Sequence, residues 1–172
     1  MDLAAHIRSV PDFPQAGIRF RDITPLLASP AALEAAVDLW ATAFDGAGVE
    51  RVLAIESRGF LFGAPLALRL GAGLVPLRKP GKLPAATWGE DYDLEYGTAR
   101  LEMHTDAVAE GQRVLLVDDV LATGGTLAAA RRLARRAGAE VVGAAVLIEL
   151  LGLDGRARVE GLELVAALEL PA

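Results

Sequence analysis

Apolar and polar positions along the chain fall into short runs of two kinds, and their order predicts an α/β fold. Arg51 to Glu56 (RVLAIE) is almost continuously apolar and short enough to be a buried strand. Ser57-Arg58-Gly59 follows as a tight turn, Phe60 to Leu70 as a helix, and Leu74 to Leu77 as a second strand. Strand, helix and strand in that order form a parallel crossover unit. Further on, the continuous apolar run Arg113 to Val117 reads as a strand. Gly124 to Ala137 reads as a helix ended by Gly138, and Glu140 to Ile148 as the next strand. Upstream, Ser29-Pro30 reads as an N-cap with a first-turn proline. It opens a helix through Leu33, Val37 and Trp40 to about Phe44, which Gly46 and Gly48 stop.

The remaining segments are less regular. Up to about Leu27, the breakers Pro11, Pro14, Gly17 and Pro25 predict an irregular stretch. Lys79 to Gly97 has no clear period, and a loop of that length inside a compact domain is usually functional or disordered. Thr98 to His104 alternates and fits an antiparallel strand. Two short pieces close the chain, near Leu151 to Arg158 and Leu162 to Leu168. With no internal repeat or linker, the 172 residues are expected to form one domain, 1–172.

Composition narrows the class. Apolar residues make up 53% and charged residues 23%, a globular balance rather than a disordered one. There is no cysteine, so neither a disulfide framework nor a thiolate metal site is available. No uninterrupted apolar stretch reaches the roughly 18 residues of a membrane span. Asp2, His6 and Arg8 precede any apolar run, unlike a signal peptide, so a cytoplasmic protein without a membrane partner is expected. The net charge of −6 disfavours nucleic acid unless basic residues cluster on one face. The one dense cluster, Arg131, Arg132, Arg135 and Arg136, reads as a solvated helix face. His6 and His104 stand far apart with no metal-binding spacing, and both read as structural or surface residues.

Most of the chemical information lies in Val114 to Thr126, V-L-L-V-D-D-V-L-A-T-G-G-T. An apolar strand ends in two carboxylates, a glycine-rich turn follows, and a helix begins. Open α/β sheets bind ligands at the carboxyl ends of their strands, and a helix N-terminus offers unpaired N–H groups to an anion. Gly124 and Gly125 let the backbone approach phosphate oxygens, and Thr123 and Thr126 add hydroxyls. The adjacent Asp118 and Asp119 would repel each other over an empty site but can accept from the two hydroxyls of a ribose diol. The other readings of an Asp-Asp pair are a solvated turn or a Walker-type site. The second requires G-x-x-x-x-G-K-[ST], which is absent, as is G-x-G-x-x-G.

This segment resembles the phosphoribosyl-pyrophosphate signature of the type I phosphoribosyltransferases, most closely their adenine branch. Four further blocks support that branch: Phe13-Pro14 through Leu27 (FPQAGIRFRDITPLL), Glu56 to Gly63 (ESRGFLFG), Arg78 to Pro84 (RKPGKLP), and Tyr92 to Gly97 (YDLEYG). All occur in the family's order and span nearly the whole chain. The resemblance implies a type I phosphoribosyltransferase fold: a mostly parallel sheet flanked by helices, a small hood mainly from residues 1–28, and a flexible lid at about 79–97.

It also implies the chemistry: transfer of ribose 5-phosphate from phosphoribosyl pyrophosphate to adenine, giving AMP and pyrophosphate, with Mg²⁺ held through the substrate and no direct protein ligand. By the same resemblance, Asp118, Asp119, Ala122, Thr123, Gly124, Gly125 and Thr126 bind the phosphoribosyl group. Ser57, Arg58, Arg78, Lys79 and Lys82 receive pyrophosphate, across a peptide expected to be cis between Glu56 and Ser57. Arg19, Phe20 and Arg21 take adenine, with Phe20 stacking on it. Glu95, with Arg58, is expected to be catalytic, and Tyr96 to belong to the lid. A homodimer is expected on the same ground. Two other readings remain: a ligand-sensing regulator that keeps this fold, for which no residues are left to make a DNA-binding module, and an enzyme acting on another purine.

Overall fold

The computed structural model describes residues 1–93 and 97–172. Its centre is a five-stranded, all-parallel sheet. The strands are β3 (Arg51–Ile55), β4 (Gly73–Leu77), β7 (Arg113–Leu121), β8 (Glu140–Leu151) and β9 (Leu164–Pro171), in spatial order β4-β3-β7-β8-β9. Successive residues of a strand point to opposite faces, so both faces of these apolar runs need cover. Leu53, Ile55, Val114 and Leu116 enter one core with Leu127, Ala130 and Leu133 of α4 (Gly125–Arg136). Val52, Leu115 and Val117 enter the other, with Trp40 of α2 (Pro30–Ala43) and Phe62 and Leu66 of α3 (Gly59–Leu70). Trp40 meets Phe62 edge to face at 5.6 Å, a favoured arrangement of two ring quadrupoles.

Helix starts match their sequence signals. Ser29 caps α2 through its hydroxyl, which accepts from the Ala32 amide at 3.3 Å, and Pro30 takes the first turn. From β3 the chain passes through α3 to β4 on one side, and β7 then lies on the other side of β3. The strand order therefore reverses between β3 and β7, and a crevice opens at their carboxyl ends. Both candidate loops, Glu56 to Arg58 and Ala122 to Gly124, leave the sheet there.

Several expectations need correction. The N-terminal stretch is not simply irregular. β1 (Arg8–Pro11) and β2 (Arg19–Asp22) form an antiparallel ribbon, and a short helix α1 (Thr24–Leu27) follows. The proline-rich part is its turn, with a cis Phe13–Pro14 bond and the Asp12 carboxylate accepting from the Gly17 amide at 2.8 Å. Residues 79–97 are not one aperiodic loop either: β5 (Thr87–Asp93) pairs in register with β6 (Thr98–His104). Apolar alternation is faint in β5 because polar groups cover much of it.

Those groups belong to α4, whose arginines are not a merely solvated face. Arg132 Nε lies 2.6 Å from Glu90 Oε1, Arg136 donates to the Gly89 carbonyl, and Arg131 donates to the Glu160 carbonyl. β7 continues four residues past Val117, so Asp118 and Asp119 lie within the strand rather than beyond it. β8 extends beside it as backbone partner, with Asp118 opposite Val146 and Val120 opposite Ile148. The two closing pieces are a 3₁₀ turn at Gly155–Val159 and β9.

Candidate active site

Local geometry at the switch point follows from which residues tolerate close approach. Gly59 opens α3 against β7, where a Cβ would stand 2.9 Å from the Val117 carbonyl oxygen and 3.3 Å from Asp118 Oδ1. That contact sets the Ser57-Arg58 turn beside the Asp118-Asp119 pair. The peptide between Glu56 and Ser57 is cis, as expected.

The glycine loop is supported from behind. Gly124 has φ +81°, and a Cβ there would overlap the Gly155 carbonyl oxygen, while a Cβ on Gly155 would overlap the Ala122 carbonyl oxygen. Two glycines thus let the 3₁₀ turn lie directly under the loop. Ala122 through Thr126 surround a small cup, and no side chain among the described residues caps α4. Its first amides remain available to an anion and are aligned with the positive end of the helix dipole. Gly125 also lies under the hairpin end, where a Cβ would come within 3.0 Å of the Asp93 carbonyl oxygen.

Asp119 is 4% exposed and Asp118 half-buried. Burial pushes both carboxyls up, Asp118 well above its ordinary range, and the charge of Asp119 raises Asp118 further. Arg58 opposes this at Asp119, its Nε standing 2.8 Å from Oδ2. The N–H is not aimed along that line, however, and Oδ2 has no hydrogen-bond donor among the described residues. A buried carboxylate oxygen without a donor is costly unless something supplies one. The same Arg58 guanidinium lies 5.4 Å from the centre of the Phe20 ring, and Phe13 packs edge-on to Phe20 at 5.2 Å. The hood aromatic, the turn arginine and the acid pair are therefore brought together. Arg19 is exposed at the ribbon edge. The Arg21 side chain leads elsewhere, to the Ser9 hydroxyl and the Pro171 carbonyl, tying the hood to β9.

Among the basic residues after β4, Arg78 and Lys82 converge on Glu56, a contact that the motif alone does not indicate. Its carboxylate takes Arg78 Nε at 3.3 Å, the Lys79 amide at 2.9 Å and the Lys82 ammonium. The Lys79 side chain is exposed. Ser57 is exposed in its turn. Glu95 and Tyr96 lie outside the described residues.

Burial alone would raise the Glu56 carboxyl, but Lys82, the Lys79 amide and Arg78 outweigh it and hold the group down at about 2. A folded value below the ordinary 4.5 means the stabilisation is complete above about pH 4.5 and lost as the pH falls toward 2. Thermal unfolding of the wild type and Glu56→Gln should therefore differ at pH 6 and converge between pH 4.5 and 2. A gap that persisted at pH 2 would show that the charge is not what matters.

Known proteins share this fold and much of this sequence. The phosphoribosyl transferase domain family matches residues 24–160. Adenine phosphoribosyltransferase of Thermobifida fusca is 58% identical over 94% of this chain and 92% of its own. The crystal structure of adenine phosphoribosyltransferase from Thermoanaerobacter pseudethanolicus superposes with a TM-score of 0.95 at 49% identity, covering 98% of each chain. The Saccharomyces cerevisiae enzyme, in complex with D-2,5-dideoxy-2,5-imino-altritol 1,6-bisphosphate and adenine, does so with a TM-score of 0.91 at 35% identity over 96% of each chain. With such identity carried end to end on the type I fold, the chain belongs to the adenine phosphoribosyltransferases.

Proposed function

We propose that the chain transfers the phosphoribosyl group of phosphoribosyl pyrophosphate to adenine, forming AMP and pyrophosphate, through the crevice between β3 and β7. The observation that carries this reading is an acid pair with one buried oxygen that has no donor among the described residues, set beside a glycine-lined helix start that no described side chain caps. Hydroxyls of a ribose would donate to Asp118 and Asp119, and the 5′-phosphate would accept from the amides of 123–126. Arg58, Ser57, Arg78, Lys79 and Lys82 would hold the pyrophosphate. Adenine would lie against Phe20, with backbone groups of Arg19 and Arg21 at its edge.

In the reaction the bond from C1′ to the pyrophosphate oxygen breaks, its electron pair leaving with that oxygen, and the N9–C1′ bond forms. The chain orients the two reactants, excludes water and stabilises the departing charge. Adenine that enters with its proton on N7 loses it as N9 bonds to C1′, and the Glu95 carboxylate would accept that proton. Mg²⁺ would be held through the substrate, and Asp119 Oδ2, buried without a donor among the described residues, could accept from a metal-bound water or a ribose hydroxyl. When bound, the ion would neutralise charge on the leaving group.

A base panel tests the reading. With Mg²⁺ and phosphoribosyl pyrophosphate, turnover is expected with adenine and not with hypoxanthine, guanine or xanthine, since a mismatched buried polar group is strongly rejected. Equal turnover of hypoxanthine would overturn the base assignment, and full activity in chelator would remove the metal. In the same assay Glu95→Gln should lower kcat by about 10²–10⁴ with little change in KM; an unchanged kcat would leave Glu95 without a catalytic role.

A cytoplasmic location is supported by the absence of cysteine and by finding, among the described residues, no helix long and apolar enough to cross a membrane. A homodimer is supported by the exposed Leu61 and Leu68 of α3, apolar surface that a second copy would cover. Light scattering that gave a monomer mass at micromolar concentration would refute it.

A further inference from the structure

One cluster outside the reacting centre joins two parts of the site that the sequence keeps apart. Helix α4 begins at the glycine loop and ends in arginines that grip β5. Arg132 makes a 2.6 Å ion pair with Glu90 and donates to the Asp91 carbonyl at 3.1 Å. One turn on, Arg136 donates to the Gly89 carbonyl at 3.3 Å, and its guanidinium stands 4.7 Å from the centre of the Trp88 ring. Residues 132 and 136 are four apart, so both face the same strand. Trp88 and Tyr92 pack onto the core that α4 also covers. β5 therefore meets α4 at two places. The arginines hold residues 88–91, and the strand's end lies over Gly125, with the Asp93 carbonyl oxygen 3.0 Å and the Tyr92 ring 3.7 Å from where a Cβ on Gly125 would stand.

We propose that Arg132 and Arg136 are positioning residues for the phosphoribosyl site: they fix β5 on α4 so that Tyr92 and Asp93 cover the glycine loop in one orientation. β6 is already fixed, with Leu101 and Met103 buried in the core and Glu102 bridged to Arg78, whereas β5 has only its pairing with β6, the partly buried Trp88 and Tyr92 and the arginines to hold it. With the latch closed, the hairpin and the phosphate cup share one rigid helix. The inference rests on the function proposed above, since it assigns the cup to the 5′-phosphate.

Arg132→Ala should raise the KM for phosphoribosyl pyrophosphate about tenfold, the scale of a charge-assisted contact reduced for its partial exposure. The KM for adenine, whose proposed site lies under the hood, should stay the same. Arg132→Lys should recover only part of the loss, because an ammonium keeps the charge toward Glu90 without the planar fork that also reaches Asp91. The exchanged pair Arg132→Glu with Glu90→Arg should recover more activity than either single change.

Arg136→Ala should shift the emission of Trp88, with fully buried Trp40 as a constant background. It should also change the emission response to added phosphoribosyl pyrophosphate. A general loss of stability with both KM values unchanged would overturn the proposal, as would exchanged charges that recover nothing. If the wild type fails to turn over phosphoribosyl pyrophosphate and adenine, the functional reading itself has failed. If the wild type is active and Arg132→Ala matches it, only the latch is lost.

Discussion

Gly124→Ala should raise the KM for phosphoribosyl pyrophosphate at least about 10²-fold, while Gly46→Ala should leave it unchanged. Both glycines have φ near +80°, at +81° and +76°, so each substitution carries a similar backbone cost of about 1–2 kcal/mol. They differ in what lies next to the added methyl. Around Gly46 there is open space, whereas at Gly124 the methyl overlaps the Gly155 carbonyl that supports the loop. The loop must move away from the 3₁₀ turn, and the amides proposed to hold the 5′-phosphate move with it. Losing two charge-assisted hydrogen bonds at about 1.5–3 kcal/mol each corresponds to about 10²–10⁴ in affinity. Thermal unfolding of both variants, measured beside steady-state kinetics, separates stability from binding. Equal kinetics in the two would mean that phosphate is held elsewhere.

The same loop shows what the sequence could and could not convey. Strand, acid pair, glycine turn and helix follow one another within thirteen residues, so local pattern sufficed to place them on one edge of a sheet. β3, the turn after it and α3 were legible for the same reason. The supports of these elements were not, because each lies far away in sequence. Gly155 shows no local sign that it must lie beneath Ala122 and Gly124. Glu56 carries no local sign that Arg78, Lys82 and the Lys79 amide will surround it. β5 is illegible in the sequence because apolar alternation is the usual mark of a strand, and TWGEDYD is covered instead by arginines from α4 and by the pairing of β6. Those arginines in turn read as solvated, since one helix viewed alone gives no hint of what lies across from it. Periodicity reports what a segment does with its own apolar side chains. It is silent where the cover is polar and comes from elsewhere.

Asp118→Asn should move activity and stability in opposite directions. The amide oxygen can still accept from the Asp119 backbone, as Oδ1 does at 2.9 Å, and the contact of Asp119 with Arg58 is retained. What disappears is one of two neighbouring buried charges, each already raised in proton affinity by burial. The melting temperature should therefore rise, while kcat/KM for phosphoribosyl pyrophosphate falls about 10–10²-fold for one lost charged acceptor. With Asp119→Asn added, the fall should reach about 10²–10⁴. The sign of the pH effect follows from the upward shift. A carboxyl that binds its proton more tightly in the folded chain destabilises that chain while ionised, and the penalty fades as the pH falls and the proton is taken up. The stability advantage of Asn should accordingly be largest near neutral pH and shrink toward acid. A pair retained only for folding would lose stability on this substitution. A pair retained to grip a diol trades stability for binding, and an unchanged kcat/KM would refute that role.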